Sequence, residues 1–177
     1  MKLPALSLYV HIPWCVQKCP YCDFNSHSQK GIIPETDYIQ DLLNDLKQDL
    51  HYVQGRLLKS IFIGGGTPSL LTEDAIGKLI KGIKAMIPFE DNIEITLEAN
   101  PDDLSEDRIK HLAQSPVNRL SIGIQSFYEK DLQLMNRAHN AQEAEACIQR
   151  ALPYFDNISI DLIYGIPGMT DERWIAN

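Results

Sequence analysis

The chain has 177 residues, of which 44% are hydrophobic and 23% charged, a composition typical of a folded globular domain with its own core. The formal net charge at pH 7 is −8, and no run of Lys or Arg offers a surface for a phosphate backbone, so we expect no nucleic-acid partner. No window approaches the roughly 18 apolar residues of a transmembrane segment. Residues 1–4 also lack the apolar core of a signal peptide, so we expect a cytoplasmic protein.

Short runs rich in Ile, Leu, Val and Tyr alternate along the chain with longer segments of helical character. The predicted strands are residues 6–12, 60–63, 93–98, 119–124 and 158–163. The predicted helices are residues 36–53, 73–86, 105–114, 129–136 and 141–152, with Thr72 and Ser105 as N-caps of the second and third. Because the strands are nearly continuously apolar, this alternation predicts a parallel sheet, as an open doubly wound sheet or a barrel.

The chain continues after the fifth predicted strand into residues 171–177, which begin another helical segment. A natural domain rarely stops inside a crossover helix. We therefore expect residues 1–177 to be one core domain, a partial (β/α) barrel that stops before its last strand and before a C-terminal domain.

Three of the four cysteines form a C-x3-C-x2-C motif, Cys15, Cys19 and Cys22, directly after the first predicted strand. A disulfide framework is not expected in a reducing compartment. Three thiolates on one short loop can bind three irons of a [4Fe-4S] cluster and leave the fourth iron free to chelate a small molecule. The alternative is a zinc site made by these thiolates with His11 or His27.

The cysteine pattern also bears on Tyr21, within the motif, and on Cys147, outside it. Tyr21 directly precedes the third cysteine of the motif, where an aromatic ring can shield a cluster from solvent. Cys147, the fourth cysteine, lies far along the chain in a helical stretch, and we expect it to be a buried small hydrophobic residue.

Further residues of chemical interest follow the ends of successive predicted strands, the edge at which parallel sheets build their sites. A run of three glycines that includes Gly65 and Gly66, followed by Thr67, ends the second strand and permits close approach of a ligand to the backbone. Glu98 closes the third strand and Gln125 the fourth. Taken one at a time, the glycines could be a simple tight turn and Glu98 a solvated acid.

Two more side chains are candidates. Arg137 could pair with a carboxylate through its planar fork, or be an ordinary surface arginine. Asp161 lies within the fifth strand among apolar neighbours, where we expect it to be paired or functional because a lone buried charge is costly.

The C-x3-C-x2-C loop after a first strand resembles the signature of the radical S-adenosylmethionine (SAM) superfamily. Residues 8–15, LYVHIPWC, resemble its HemN-like branch, and the resemblance extends over residues 6–174. It implies an α/β fold, a partial parallel (β/α) barrel of the radical SAM type with about five of six β/α units. It further implies that SAM chelates the open iron through its amino and carboxylate groups, and that reductive cleavage yields a 5′-deoxyadenosyl radical.

The resemblance also implies roles for individual residues. Cys15, Cys19 and Cys22 would hold the cluster, and the backbone of the segment Gly65, Gly66 and Thr67 would receive the SAM amino group. The other SAM-binding positions would be Glu98, Gln125, Arg137 and Asp161, with Tyr9 near the cluster. No side chain is assigned a catalytic role.

One position separates two groups within the branch. Enzymes that oxidatively decarboxylate coproporphyrinogen III carry a further cysteine two residues after the third, and here Phe24 occupies that position. This departure favours the HemW-like group, which implies haem or another tetrapyrrole as ligand and a haem-accepting protein as partner. The alternatives are a coproporphyrinogen III dehydrogenase and a non-catalytic zinc-binding module.

Overall fold

The computed structural model describes residues 3–177, so Met1 and Lys2 of the N-terminal segment lie outside it. The strands are β1 Leu6–Ile12, β2 Trp14–Cys15, β3 His27–Ser28, β4 Leu58–Gly65, β5 Phe89–Ala99, β6 Arg119–Gln125 and β7 Ile158–Leu162. The helices are α1 Glu35–Asp49, α2 Glu73–Met86, α3 Glu106–Ala113, α4 Glu129–Leu134, α5 Ala141–Ala151 and α6 Asp171–Ala176. Single 3-10 turns occur at Leu50–Tyr52, Pro68–Leu70 and Pro101–Asp103.

The fold is built on a five-stranded sheet with the order β1-β4-β5-β6-β7, in which every neighbouring pair is parallel. One or more helices follow each strand from β4 to β7, as parallel pairing requires a crossover between successive strands. The predicted α/β fold with a parallel sheet is therefore confirmed. The two-residue strands β2 and β3 pair with each other outside this sheet.

The two faces of the sheet differ in chemistry. Side chains such as Ile61, Leu97 and Leu120 lie on one face, where they pack in a single core with residues of α2, α3 and α5. On the other face the strands carry polar side chains, so that Ser60 Oγ donates to Ser7 Oγ at 2.8 Å. The strands are thus less uniformly apolar than the sequence analysis expected, because alternate residues point to this second face.

The polar face continues across the remaining strands. Arg119 of β6 donates to Thr96 Oγ1 of β5 at 3.2 Å and to Ser159 Oγ of β7 at 3.0 Å. Ser121 of the same strand lies 3.4 Å from both carboxylate oxygens of Asp161. This polar face leads up to the carboxyl ends of the strands, where the candidate site lies.

The predicted element boundaries hold best where a capping residue marks them. Thr72 Oγ1 accepts the Ala75 N–H and Ser105 Oγ accepts the Arg108 N–H, both at 3.2 Å, so both predicted N-caps are confirmed. The strands predicted at 60–63 and 93–98 extend further, because Leu58 of β4 still pairs with Phe89 of β5. The helix predicted at 36–53 ends as α1 at Asp49 and continues as a 3-10 turn.

Cys147 lies on α5 and is fully buried in the core, as predicted. Burial raises the pKa of its thiol to about 11, so this cysteine stays protonated at neutral pH. Among the helices of residues 3–177, none has the length and hydrophobicity of a transmembrane segment.

Replacing Ile61 with Ala should test the core face of the sheet. Ile61 is fully buried on β4, between β1 and β5, so the variant loses apolar burial and leaves a cavity. We expect the free energy of unfolding to fall by about 2–5 kcal/mol, measured by urea denaturation. Ile32→Ala is the matched control, because Ile32 is 95% exposed and its loss should change stability by less than about 0.5 kcal/mol. Equal midpoints for the two variants would contradict this assignment of the core.

Candidate cofactor site

The carboxyl ends of the strands open into one cleft, and every predicted site residue except Tyr9 lines it. The predicted residues in this lining are Cys15, Cys19, Cys22, Gly65, Gly66, Thr67, Glu98, Gln125, Arg137 and Asp161. They come from different strand ends and loops that are far apart in the sequence. Parallel pairing brings these ends to one edge of the sheet, so the topology itself assembles the site.

The cysteine loop is fastened at both ends. It leaves β1 through β2, whose last residue is the buried Cys15, and returns through β3. The ladder between β2 and β3 is supported by hydrogen bonds from His27 N to Pro13 O at 2.7 Å and from Gln29 N to Cys15 O at 2.9 Å. The loop therefore closes on itself and presents Cys19 and Cys22, both partly exposed, to the cleft.

The cysteines are all free thiols. Within residues 3–177 no group of three or more His, Cys, Asp and Glu side chains is arranged to hold a metal ion. The alternative zinc site with His11 or His27 stays a prediction, and His11 Nε2 already forms a hydrogen bond with Asn25 O at 2.8 Å. A cubane cluster binds each cysteine at a different iron, so its ligands need not converge on one point.

The glycine turn after β4 packs directly against the cysteine loop. A Cβ at Gly66 would lie 2.4 Å from Trp14 O and 3.0 Å from Cys15 Sγ, so only glycine fits there. Gly66 N donates to Ile12 O at 2.6 Å, and Thr67 N donates to Trp14 O at 2.7 Å. These contacts hold the turn and the first cysteine together as one unit.

Gly65 adopts a φ of +116°, in the region that favours glycine, and its N–H donates to Glu98 Oε2 at 2.9 Å. The N–H groups of Gly65, Gly66 and Thr67 are thus all engaged within the chain. What this turn can still offer a ligand is carbonyl oxygen, which accepts hydrogen bonds from an amino group.

Glu98 is partly buried at the end of β5, beside the glycine turn. Burial raises the pKa of its carboxyl group, and the nearby Asp161 charge raises it further, whereas the hydrogen bond from Gly65 opposes both. A carboxylate has about four acceptor sites. Glu98 therefore keeps capacity for another donor, such as a hydroxyl group of a ribose.

Gln125 ends β6 in the left-handed region, with a φ of +68°, where a non-glycine residue is uncommon. Its amide lies over Gly123, where a Cβ would come within 2.9 Å of Gln125 Nε2. Asp161 is exposed, because alternation along the edge strand β7 turns it to the polar face. There it lies 3.4 Å from Ser121 Oγ, and the expectation that it is paired or functional stays a prediction.

Arg137 reaches the cleft from the segment between α4 and α5. Its Nη2 donates to Asn100 Oδ1 at 2.6 Å and to Gly123 O at 2.9 Å, and its Nη1 lies 3.5 Å from Cys19 Sγ and 3.4 Å from Tyr21 Oη. The Nε group is buried and has no hydrogen-bond partner among residues 3–177. Arg137 lines the cleft and brings a positive charge to it, which suits an anionic ligand.

Tyr21 is part of the site because its hydroxyl group lies next to Arg137. Burial raises the pKa of its phenol to about 12, so the hydroxyl stays protonated near neutral pH. It lies beside Arg137, within the lining of the cleft, and its role in shielding a cluster stays a prediction.

Tyr9 lies outside the residues that line the cleft. Its hydroxyl forms a hydrogen bond with His11 Nδ1 at 3.0 Å, and its ring stacks on Phe62 with centroids 6.3 Å apart. Burial, followed by the nearby Glu98 charge, raises its pKa. Because His11 also forms a hydrogen bond with Asn25 of the cysteine loop, Tyr9 is linked to that loop through His11. The role of Tyr9 near a cluster stays a prediction.

Asn100 is a site residue that the sequence analysis missed. It lines the cleft and directly follows β5, two residues after Glu98. The signal that could have found it is its position, since it follows a strand end at the same edge as the other site residues. The donor set as a whole fits a [4Fe-4S] cluster with an adjoining ligand, because free thiols, a glycine cradle and an arginine with an unpaired N–H share one cleft.

Comparison with known proteins agrees with this geometry. The family model described as the radical SAM superfamily matches residues 9–176. The chain belongs to the radical SAM superfamily. Membership implies a [4Fe-4S] cluster and SAM as cofactors, and the family prediction made from the cysteine motif is confirmed.

Relatives with curated descriptions are identical to this chain at about half of the aligned positions. It is 54% identical to the "Heme chaperone HemW" of Haemophilus influenzae, over 97% of the chain and 46% of that protein. It is 51% identical to the "Heme chaperone HemW" of Escherichia coli, over 100% of the chain and 47% of that protein. The chain thus spans a little under half the length of these relatives.

Solved structures share the fold. Coproporphyrinogen III oxidase (HemN) from Escherichia coli, described as a radical SAM enzyme, matches with a TM-score of 0.76 and 32% identity, over 97% of this chain and 40% of that one. Streptococcus suis SuiB matches with a TM-score of 0.64 and 18% identity, over 97% of this chain and 36% of that one, a similarity of fold alone. Identity to the two HemW chaperones is therefore higher than identity to HemN.

Replacing Gly66 with Ala should prevent cluster binding. The added Cβ would meet the Trp14 carbonyl, which cannot move away as a flexible side chain could, so the turn or Cys15 must shift. We expect iron and acid-labile sulfide per chain to fall several-fold after anaerobic reconstitution. Gly77→Ala is the control, because a Cβ there would meet no described atom within 4 Å apart from its chain neighbours and the backbone of its own helix, and it should keep full cluster content. Full iron content in Gly66→Ala would contradict this packing argument.

Proposed function

We propose that the chain is the radical SAM part of a haem chaperone, which holds a [4Fe-4S] cluster, binds SAM and delivers haem to haem-requiring proteins. The observation that carries this proposal is the cleft itself, in which three free cysteines face a glycine turn and a positively charged arginine. The higher identity to the HemW chaperones than to HemN favours the chaperone over the enzyme.

Roles for the chain's own residues follow from their chemistry. Cys15, Cys19 and Cys22 hold the cluster as thiolates, and Tyr21 limits the access of water to it. When bound, the cluster supplies the electron with which radical SAM proteins cleave SAM. Arg137 attracts the carboxylate of SAM, because a guanidinium carries its charge at all physiological pH values.

The remaining cleft residues bind the rest of the SAM molecule. The carbonyl oxygens of Gly65 and Gly66 accept hydrogen bonds from its amino group. Glu98 and Gln125 hold its ribose through hydrogen bonds, and Asp161, which is exposed on the polar face, adds a further acceptor. Thr67 keeps the glycine turn against the cysteine loop through its backbone N–H.

Phe24 supports the chaperone over the decarboxylating enzyme. Its side chain lines the cleft and is 62% exposed, and it can contribute neither a ligand nor redox chemistry. Val16 and Tyr21 of the same cysteine loop are also exposed. Exposed apolar surface of this kind suits a flat apolar ligand such as haem or another tetrapyrrole.

The setting of the protein is part of the same proposal. We place it in the cytoplasm, where thiols remain reduced and available as cluster ligands. Its partners are SAM, haem and a haem-accepting protein. Residues 1–177 form a core domain of the radical SAM type, which spans a little under half the length of the HemW relatives.

The second candidate is a coproporphyrinogen III dehydrogenase, which the structural similarity to HemN favours. The two candidates differ in their product. Cluster-loaded protein is incubated anaerobically with SAM, a reductant and coproporphyrinogen III, and haem binding is followed in parallel by visible absorption. We expect haem to bind and no protoporphyrinogen to form, because Phe24 replaces the additional cysteine.

Cys19→Ala is the control for this experiment, because it should lose the cluster and with it any SAM-dependent chemistry. Protoporphyrinogen formed by the unaltered protein and absent with Cys19→Ala would replace the chaperone with the enzyme. An unaltered protein that holds its cluster but binds no haem would also contradict the chaperone.

A further inference from the structure

Asn100 lies in the cleft between Arg137 and the glycine turn. Its Oδ1 accepts a hydrogen bond from Arg137 Nη2 at 2.6 Å, and its Nδ2 donates to Thr67 Oγ1 at 3.2 Å. A guanidinium group can only donate, so the atom that faces it must be the amide oxygen, and the NH₂ group is then turned toward Thr67. The amide thus joins the glycine turn to the arginine.

The backbone at Asn100 is fixed on both sides. It follows Ala99, the last residue of β5, and precedes Pro101, which restricts it to extended conformations. Its φ of −103° and ψ of 152° lie in this region, and its carbonyl accepts the Asp103 N–H at 3.1 Å. A short side chain on a fixed backbone has few orientations, so Asn100 is a rigid support for whatever it binds.

Gly123 completes this support from the neighbouring strand. Its carbonyl accepts a second hydrogen bond from Arg137 Nη2, at 2.9 Å, and a Cβ at this position would lie 3.2 Å from Asn100 Oδ1. The Nη2 group is therefore held between two oxygens, and the guanidinium plane is fixed without direct help from an acidic side chain.

Both of these acceptors are neutral, which has an electrostatic consequence. They orient the cation, but they do not cancel its charge as a carboxylate at position 100 would. Arg137 lines the cleft, so its positive charge remains available to an anionic ligand, in a setting where partial burial strengthens the interaction.

We propose that Asn100 is a positioning residue, which orients the guanidinium of Arg137 toward the carboxylate of SAM without adding a negative charge beside it. The inference rests on the proposed SAM site and deepens it. Asn100 acts through Arg137, and its effect on SAM binding depends on that arginine.

A double-mutant cycle tests this dependence. SAM affinity is measured by anaerobic calorimetry on cluster-loaded protein for the unaltered chain, Asn100→Ala, Arg137→Ala and the double variant. We expect Asn100→Ala to raise the Kd for SAM roughly tenfold, as for a lost hydrogen bond to a charged group. In the Arg137→Ala background the same substitution should change the Kd by less than about twofold.

Two further variants separate orientation, charge and folding. Asn100→Asp keeps the acceptor oxygen and the shape but compensates the cation, so it too should raise the Kd at unchanged iron content. If Asn100→Ala does not fold, Asn100→Asp takes its place in the double-mutant cycle. Asn92→Ala, at an exposed position of β5, is the matched control and should bind SAM normally.

The outcomes are distinct. Equal effects of Asn100→Ala in both backgrounds, or a Kd unchanged by Asn100→Asp, would overturn the positioning role while SAM binding by the unaltered protein still supported the proposed function. An unaltered, cluster-loaded protein that does not bind SAM would overturn the proposed function, and this inference with it.

Discussion

The contact between the glycine turn and the cysteine loop is the constraint on which the rest of the site depends. No Cβ fits between Gly66 and the Trp14 carbonyl, so the end of β4 and the first cysteine share one rigid position. The short ladder of β2 and β3 closes the loop behind that contact. Cys19 and Cys22 are consequently presented from a small closed loop, whereas a long flexible loop would have to be ordered, at an entropic cost, before it could bind a cluster.

A series of hydrogen bonds extends from this contact across the carboxyl ends of the strands. Glu98 accepts a hydrogen bond from the turn, and Asn100 binds Thr67 of the same segment. Asn100 in turn binds Arg137, which reaches back to Cys19. Hydrogen bonds thus link the cysteine loop with β4, β5 and β6, so that acidic and basic groups lie on defined sides of one cleft. Such an arrangement suits a zwitterionic ligand with an amino group, a carboxylate and a ribose.

The sequence predicted the site better than it predicted the surroundings of each residue. The cysteine spacing, the strand-end positions of Gly66 and Glu98, and the family resemblance together indicated residues that the structure brings into one cleft, because parallel topology brings all such ends to one edge. The exposure of Asp161 could not be predicted, since it depends on which strand lies at the edge of the sheet. The ladder of β2 and β3 was missed because two-residue strands show no periodicity, and Asn100 because one amide carries no motif.

The central claim is that the three cysteines hold one cluster whose remaining iron is open to SAM. Electron paramagnetic resonance of the reduced, reconstituted protein tests this most directly, with spectra recorded before and after addition of saturating SAM. The account predicts the signal of a reduced [4Fe-4S] cluster and a change in its g values when SAM binds at the open iron. A protein that takes up zinc in place of iron, or a cluster whose spectrum is unaffected by SAM, would contradict it.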